Sequence, residues 1–158
     1  MSPVTELLPY DDDAAFSLAD CAATVAAIVR RTPTERLREA RFGEWTAVQL
    51  IAHLTDSAET FAERVRRCVE EDEPSIASFD ADERMAELMR LELDPMDLSK
   101  RLQRAHGSIV QRLQAREARS RVGVHSAWGR VPASHFAAYQ AKHSSEHVGE
   151  LSAAFPPG

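Results

Sequence analysis

The chain has 158 residues, 44% hydrophobic and 28% charged, which is enough to close one core and ordinary for a soluble globular protein. Lys and Arg number 19 against 25 Asp and Glu, a net charge of −6, which argues against gripping nucleic acid through its phosphates. No run nears the ~18 apolar residues of a membrane span, and MSPVTELLPYDDD lacks a basic-then-apolar leader, so a cytoplasmic protein with no membrane partner is expected.

The reading is of a single domain over residues 1–158, with residues 1–12 as an irregular lead-in. The acidic cluster at Asp11–Asp13 suits a helix N-terminus, where unpaired N–H groups attract negative charge. Leu18, Cys21, Ala22, Val25, Ile28 and Val29 then follow one helical face to about Arg31, and Thr32-Pro33 closes it. Residues 34–43 form a connector with one short helical turn.

The next segment, EWTAVQLIAHL, carries the clearest local signal. Thr46 is placed to cap a helix and Gln49 to complete a capping box, with Trp45 and Leu50 as a staple. This second long helix should run to about Glu71 with Ile51, Leu54, Ala58, Phe61, Ala62, Val65, Cys68 and Val69 inward. Arg64, Arg66, Arg67, Arg101 and Arg104 read as solvated helix faces. Cys21 and Cys68 form no Cys-x-x-Cys pair and read as buried thiols.

Residues 70–79 read as an acidic loop and residues 82–93 as a short helix. Asp94-Pro95 is a cap followed by proline at the first helical position, opening a third long helix to about Arg116. Residues 117–130 read as irregular, although 121–125 alternate at period two. A fourth long helix follows Pro132 and ends before Pro156-Pro157. Four long amphipathic helices with extended crossover loops predict an all-α four-helix bundle with antiparallel long helices.

In the last helix His143 and His147 stand four apart, so both leave one face a turn apart. Phe136, Gln140, His143, His147, Leu151 and Ala154 share a stripe at ~100° per residue, which puts two imidazoles where apolar residues should face the core. Buried imidazoles need partners, and either Gln140 or a shared metal ion would serve. No Glu follows the first histidine, so His-Glu-x-x-His metalloprotease chemistry does not apply. If the second and last long helices run antiparallel, His53 reaches the pair, and three neutral imidazoles would suit zinc, nickel or iron. Asp56, one turn on, is either an outer acceptor for a ligand N–H or a solvated residue. His125 either lies on the surface or lines a pocket mouth, and His106 and His135 read as surface residues.

Three pieces of sequence carry a resemblance: Trp45-Thr46 with Ile51-Ala52-His53-Leu54, the acidic RVRRCVEEDEPSIASFD, and GVHSAWGRVPASHFAAYQAKHSSEHVGEL. Together they resemble the DinB/YfiT-like superfamily of four-helix-bundle metalloenzymes. The resemblance implies His53, His143 and His147 as metal ligands and His125 as a loop residue near the site. One departure is Ser144, where many relatives carry an acid. Similar proteins include mycothiol- or bacillithiol-dependent transferases and isomerases, and homodimers are common among them. Three readings follow: a metal-dependent enzyme using a low-molecular-weight thiol against a small electrophilic molecule, a metal-dependent hydrolase, or a non-catalytic metal-binding, stress-associated bundle.

Overall fold

The computed structural model describes residues 6–157, so residues 1–5 of the expected lead-in and Gly158 lie outside the described residues. In chain order the elements are α1 (Asp12–Arg31), α2 (Thr34–Glu39), β1 (Arg41–Phe42), β2 (Trp45–Thr46), α3 (Ala47–Glu70) and β3 (Ser75–Ile76). Then follow α4 (Ala81–Leu88), α5 (Pro95–Arg112), α6 (Arg116–Arg119), β4 (Val122–His125), β5 (Gly129–Pro132) and α7 (Ala133–Ala154). No helix among the described residues is long and apolar enough to cross a membrane.

The helix starts follow local chemistry. Asp11 accepts a hydrogen bond from the Ala14 N–H, and Asp94 from the Met96 N–H one residue before Pro95 opens its helix. At α3 the capping box is complete: the Gln49 N–H donates to Thr46 Oγ1 at 3.2 Å and the Thr46 N–H to Gln49 Oε1 at 2.9 Å. Thr46→Ala frees one of these donors and should cost about 1 kcal/mol, or about 2–4 °C in Tm by circular dichroism.

The long helices α1, α3, α5 and α7 make the bundle. α3 and α1 each pack on α5 and α7, which leaves α1/α3 and α5/α7 on the diagonals. Cross-helix pairs fix the directions. His53–His143, Ser57–Gln140 and Phe61–Phe136 run in opposite order, so α3 and α7 are antiparallel. Thr55–Leu98, Glu59–Arg101 and Glu70–Arg112 run in the same order, so α3 and α5 are parallel, not antiparallel as expected of every long-helix pair. That arrangement requires the crossover containing β3 and α4 to return along the bundle.

Segments expected to be irregular carry short strands. β4 pairs parallel with β3 and antiparallel with β5, with Ile76 opposite His125 and His125 opposite Gly129. A Cβ at Gly123 would meet Ile76 Cδ1 at 2.6 Å and Cys68 Sγ at 2.9 Å, so glycine is what lets β4 lie tight against α3. This sheet caps one end of the bundle and carries His125 inward.

Three sequence expectations are corrected in the core. His106 and His135 are buried, at 1% and 3% exposure, not on the surface. Each is satisfied: His106 Nδ1–H donates to the Leu18 carbonyl at 2.7 Å, and His135 Nδ1 accepts from the Leu8 N–H at 2.9 Å. Gln140 does not serve His143 or His147. Its Nε2 donates to His106 Nε2 and Ser144 Oγ, and its Oε1 accepts from Ser57 Oγ. Leu18, His106, Ser57 and Gln140 thus link all four long helices through one buried polar network. Finally, the buried face of α7 centres on Phe136, Ala137, Gln140, Ser144, Val148 and Leu151, and Ala154 is exposed. His143 and His147 lie half-buried at the edge of that face, one position round from where the stripe alone put them.

Candidate metal centre

Antiparallel packing brings the second turn of α3 against the later half of α7, and His53, His143 and His147 meet there. His53 Nε2 and His143 Nε2 face each other at 3.2 Å. One donor atom from each of the three rings lies within 4.8 Å of the others, and this is the group among the described residues that could hold a metal ion. Two nitrogens bound to one tetrahedral ion at ~2.0–2.1 Å would stand about 3.3 Å apart, so the His53–His143 separation fits a shared ion. His147 Nδ1 is a buried nitrogen without a hydrogen-bond partner. Glu150 Oε1 lies 3.3 Å from it, but in a geometry that misses a hydrogen bond.

His53 and His143 are biased toward the neutral form that a metal requires. Burial, then the neighbouring His143 and His147, push His53 down to about 4, partly offset by Asp56. Burial, then His147, lowers His143. Trp45 backs His53 at 4.8 Å between ring centroids, and Tyr139 stacks parallel on His143 at 6.3 Å. The residue that precedes the cap of α3 therefore also fixes a ring of the site.

A cleft of about 370 Å³ opens beside these rings, and His53 and His143 line its wall. Phe61, Trp128 and Tyr139 form an aromatic side, with Phe61 and Tyr139 stacked at 5.2 Å. Ser78, Phe79 and Ala81 close it from the crossover. His125 also lines the cleft and is buried at 4% exposure, which selects the pocket-lining alternative for this residue. Its Nδ1 accepts from the Ala127 and Trp128 N–H groups at 3.1 and 3.0 Å. The neutral ring therefore carries its proton on Nε2, and burial together with the Arg64 guanidinium keeps it neutral.

Asp56 accepts no hydrogen bond from a histidine among the described residues. Its carboxylate is held by Arg84 of α4, with Arg84 Nε at 3.1 Å, so it ties the crossover to α3. Arg64, read from sequence as part of a solvated face with Arg66 and Arg67, is 6% exposed and lines the cleft. The signal was present in the spacing: Arg64 stands three residues after Phe61 and four before Cys68, on the buried stripe. Charge alone misplaced it. Tyr139, one turn before His143, and Trp128 in the turn between β4 and β5 are further cleft residues that sequence reasoning did not single out.

An antiparallel helix pair presenting three imidazoles at the edge of a cleft defines a helical bundle with a histidine triad that could hold a metal ion. The chain belongs to the DinB superfamily, whose model matches residues 17–151. Among solved structures it is similar to YfiT from Bacillus subtilis, described as a probable metal-dependent hydrolase with an unusual four-helix bundle topology. That similarity has a TM-score of 0.70 and 21% identity, over 98% of this chain and 93% of that one. A mycothiol-dependent maleylpyruvate isomerase is also similar, with a TM-score of 0.65 and 16% identity over 94% of this chain and 61% of that one. No curated protein matches the chain.

Proposed function

We propose that the chain is a metal-dependent enzyme that uses a low-molecular-weight thiol on a small electrophilic molecule, as an S-transferase or isomerase, with His53, His143 and His147 as metal ligands. The observation that carries this reading is the convergence of three imidazoles from two rigid helices at the wall of an open, largely aromatic cleft. A bound zinc, nickel or iron ion would supply Lewis-acid chemistry and keep a thiol as its thiolate near neutral pH.

The chain's own residues set the rest. Cys21 and Cys68 are buried, and burial pushes both thiols up, Cys68 to about 11, so neither provides the nucleophile. The thiol therefore comes from a cosubstrate. Phe61, Trp128 and Tyr139 keep water from one side of the cleft, and the His125 Nε2–H offers a fixed donor to a polar group of the bound molecule. No carboxylate lines the cleft among the described residues, so it offers no carboxylate base to help water attack. This favours thiol transfer over hydrolysis. The mycothiol dependence named for one structural neighbour is in keeping with it.

Incubating metal-loaded protein with mycothiol or bacillithiol and monochlorobimane should give thiol-dependent conjugation above the uncatalysed rate, lost in His143→Ala. Turnover of an ester panel without added thiol, together with no thiol-dependent conjugation, would instead support the hydrolase reading.

A further inference from the structure

The cleft holds a cation without a counter-charge. Arg64 Nη2 donates to the Ala77 carbonyl at 3.0 Å, and its other N–H groups have no protein partner among the described residues. The guanidinium lies over Phe61 at 4.9 Å and Phe79 at 5.4 Å, which fixes its plane. The other arginines of its helix behave differently: Arg66 pairs with Glu63 and Glu70, and Arg67 with Glu71. A chain with 25 acidic residues places none of them on the wall of this cleft among the described residues.

A buried guanidinium without a paired anion is costly to keep, and a carboxylate that docks on it replaces the lost solvation with charge-assisted hydrogen bonds. Burial lowers Arg64 from its ordinary range, in line with an environment that lacks a negative partner. His53 and Arg64 stand eleven residues apart on one face of α3, about three turns or ~16 Å along the axis, so they mark the two ends of the cleft. One guanidinium and the nearby His125 Nε2–H suit a singly charged carboxylate, and the aromatic wall between suits a flat or apolar body.

We infer that Arg64 is the carboxylate-binding residue of the cleft, so that the molecule acted on is a small organic acid whose anionic end docks away from the histidines. The substrate assignment rests on the proposed function, but anion binding at Arg64 does not require the metal. Benzoate and benzamide, which share shape and differ in charge, are suitable probes on the full chain, both stripped of metal by chelation and metal-loaded.

Benzoate should bind the metal-free chain about 10- to 100-fold more tightly than benzamide. Arg64→Met should erase the difference, Arg64→Lys should restore part of it, and benzoate should shift the Arg64 Nε–H NMR resonance. If a variant does not fold, the comparison of the two probes on the wild-type chain and the Nε–H resonance decide alone. Benzoate that binds no better than benzamide, a preference that survives Arg64→Met, or a preference seen only with metal loaded would each overturn the inference. A chain that binds benzoate through Arg64 yet takes up no metal would refute the metal reading and leave this one standing.

Discussion

Zinc or nickel added to the chelated protein should raise its Tm by about 8–16 °C when free metal is a thousand times Kd, and His53→Ala should reduce that rise to about 2 °C or less. The arithmetic is linkage: at this saturation a ligand specific to the folded state adds about 4 kcal/mol, and a domain of this size gains about 2–4 °C per kcal/mol. His53 comes from α3, whereas His143 and His147 both come from α7, so the ion would clamp two antiparallel helices together. Removing His53 leaves two histidines on one helix, too few ligands to hold the ion tightly and none from α3 to join to them. Each protein is compared with itself, with and without metal, so any intrinsic cost of the substitution cancels. Equal metal-induced shifts in the wild type and His53→Ala would show that the ion does not bridge the helices there.

Acid should weaken the bundle through another histidine, His106, which is not one of the three candidate metal ligands. His106 is enclosed among four helices, and burial pushes it down to about 4 from an ordinary 6.5, against the opposing effect of the Leu18 carbonyl. Its folded-state value is depressed, so the folded chain binds fewer protons than the unfolded chain between those two values. The stability tied to neutral His106 is then fully present above about pH 6.5 and is lost as pH falls toward about 4. The interval corresponds to about 3 kcal/mol. His106→Gln keeps a neutral hydrogen-bonding side chain that does not titrate. Urea unfolding with a chelator present should show the wild type losing up to about 3 kcal/mol more than His106→Gln from pH 7 to pH 4. His125 and His135 titrate in both proteins, so the difference isolates His106. Parallel stability curves would contradict the account.

The parts of this molecule that the sequence made legible are those written in local spacing. The four long helices follow apolar periodicity, and Asp11, Thr46 and Asp94 cap their helices by contacts within four residues. The histidine pair was visible because i,i+4 geometry belongs to one helix, and His53 because an antiparallel partner has a definite depth. What escaped depends on partners distant in the chain. β3 is two residues long and exists because Ser75 and Ile76 pair with Val124 and His125, a match that no local pattern announces. His106 and His135 lie away from the apolar stripes of their helices, which points them to solvent, whereas Leu18 and Leu8 supply their hydrogen bonds from elsewhere in the chain. Asp56 was linked to His53 by proximity along α3, but a guanidinium from α4 takes its carboxylate. Arg64 sits on the stripe of α3 by spacing, and only its charge points the other way.

If His53, His143 and His147 hold one ion between them, metal content should depend on all three. Elemental analysis of protein purified without chelator and then loaded with zinc or nickel should give about one equivalent of metal per chain in the wild type and almost none in each of His53→Ala, His143→Ala and His147→Ala. Metal content unchanged in all three variants would contradict a shared ion.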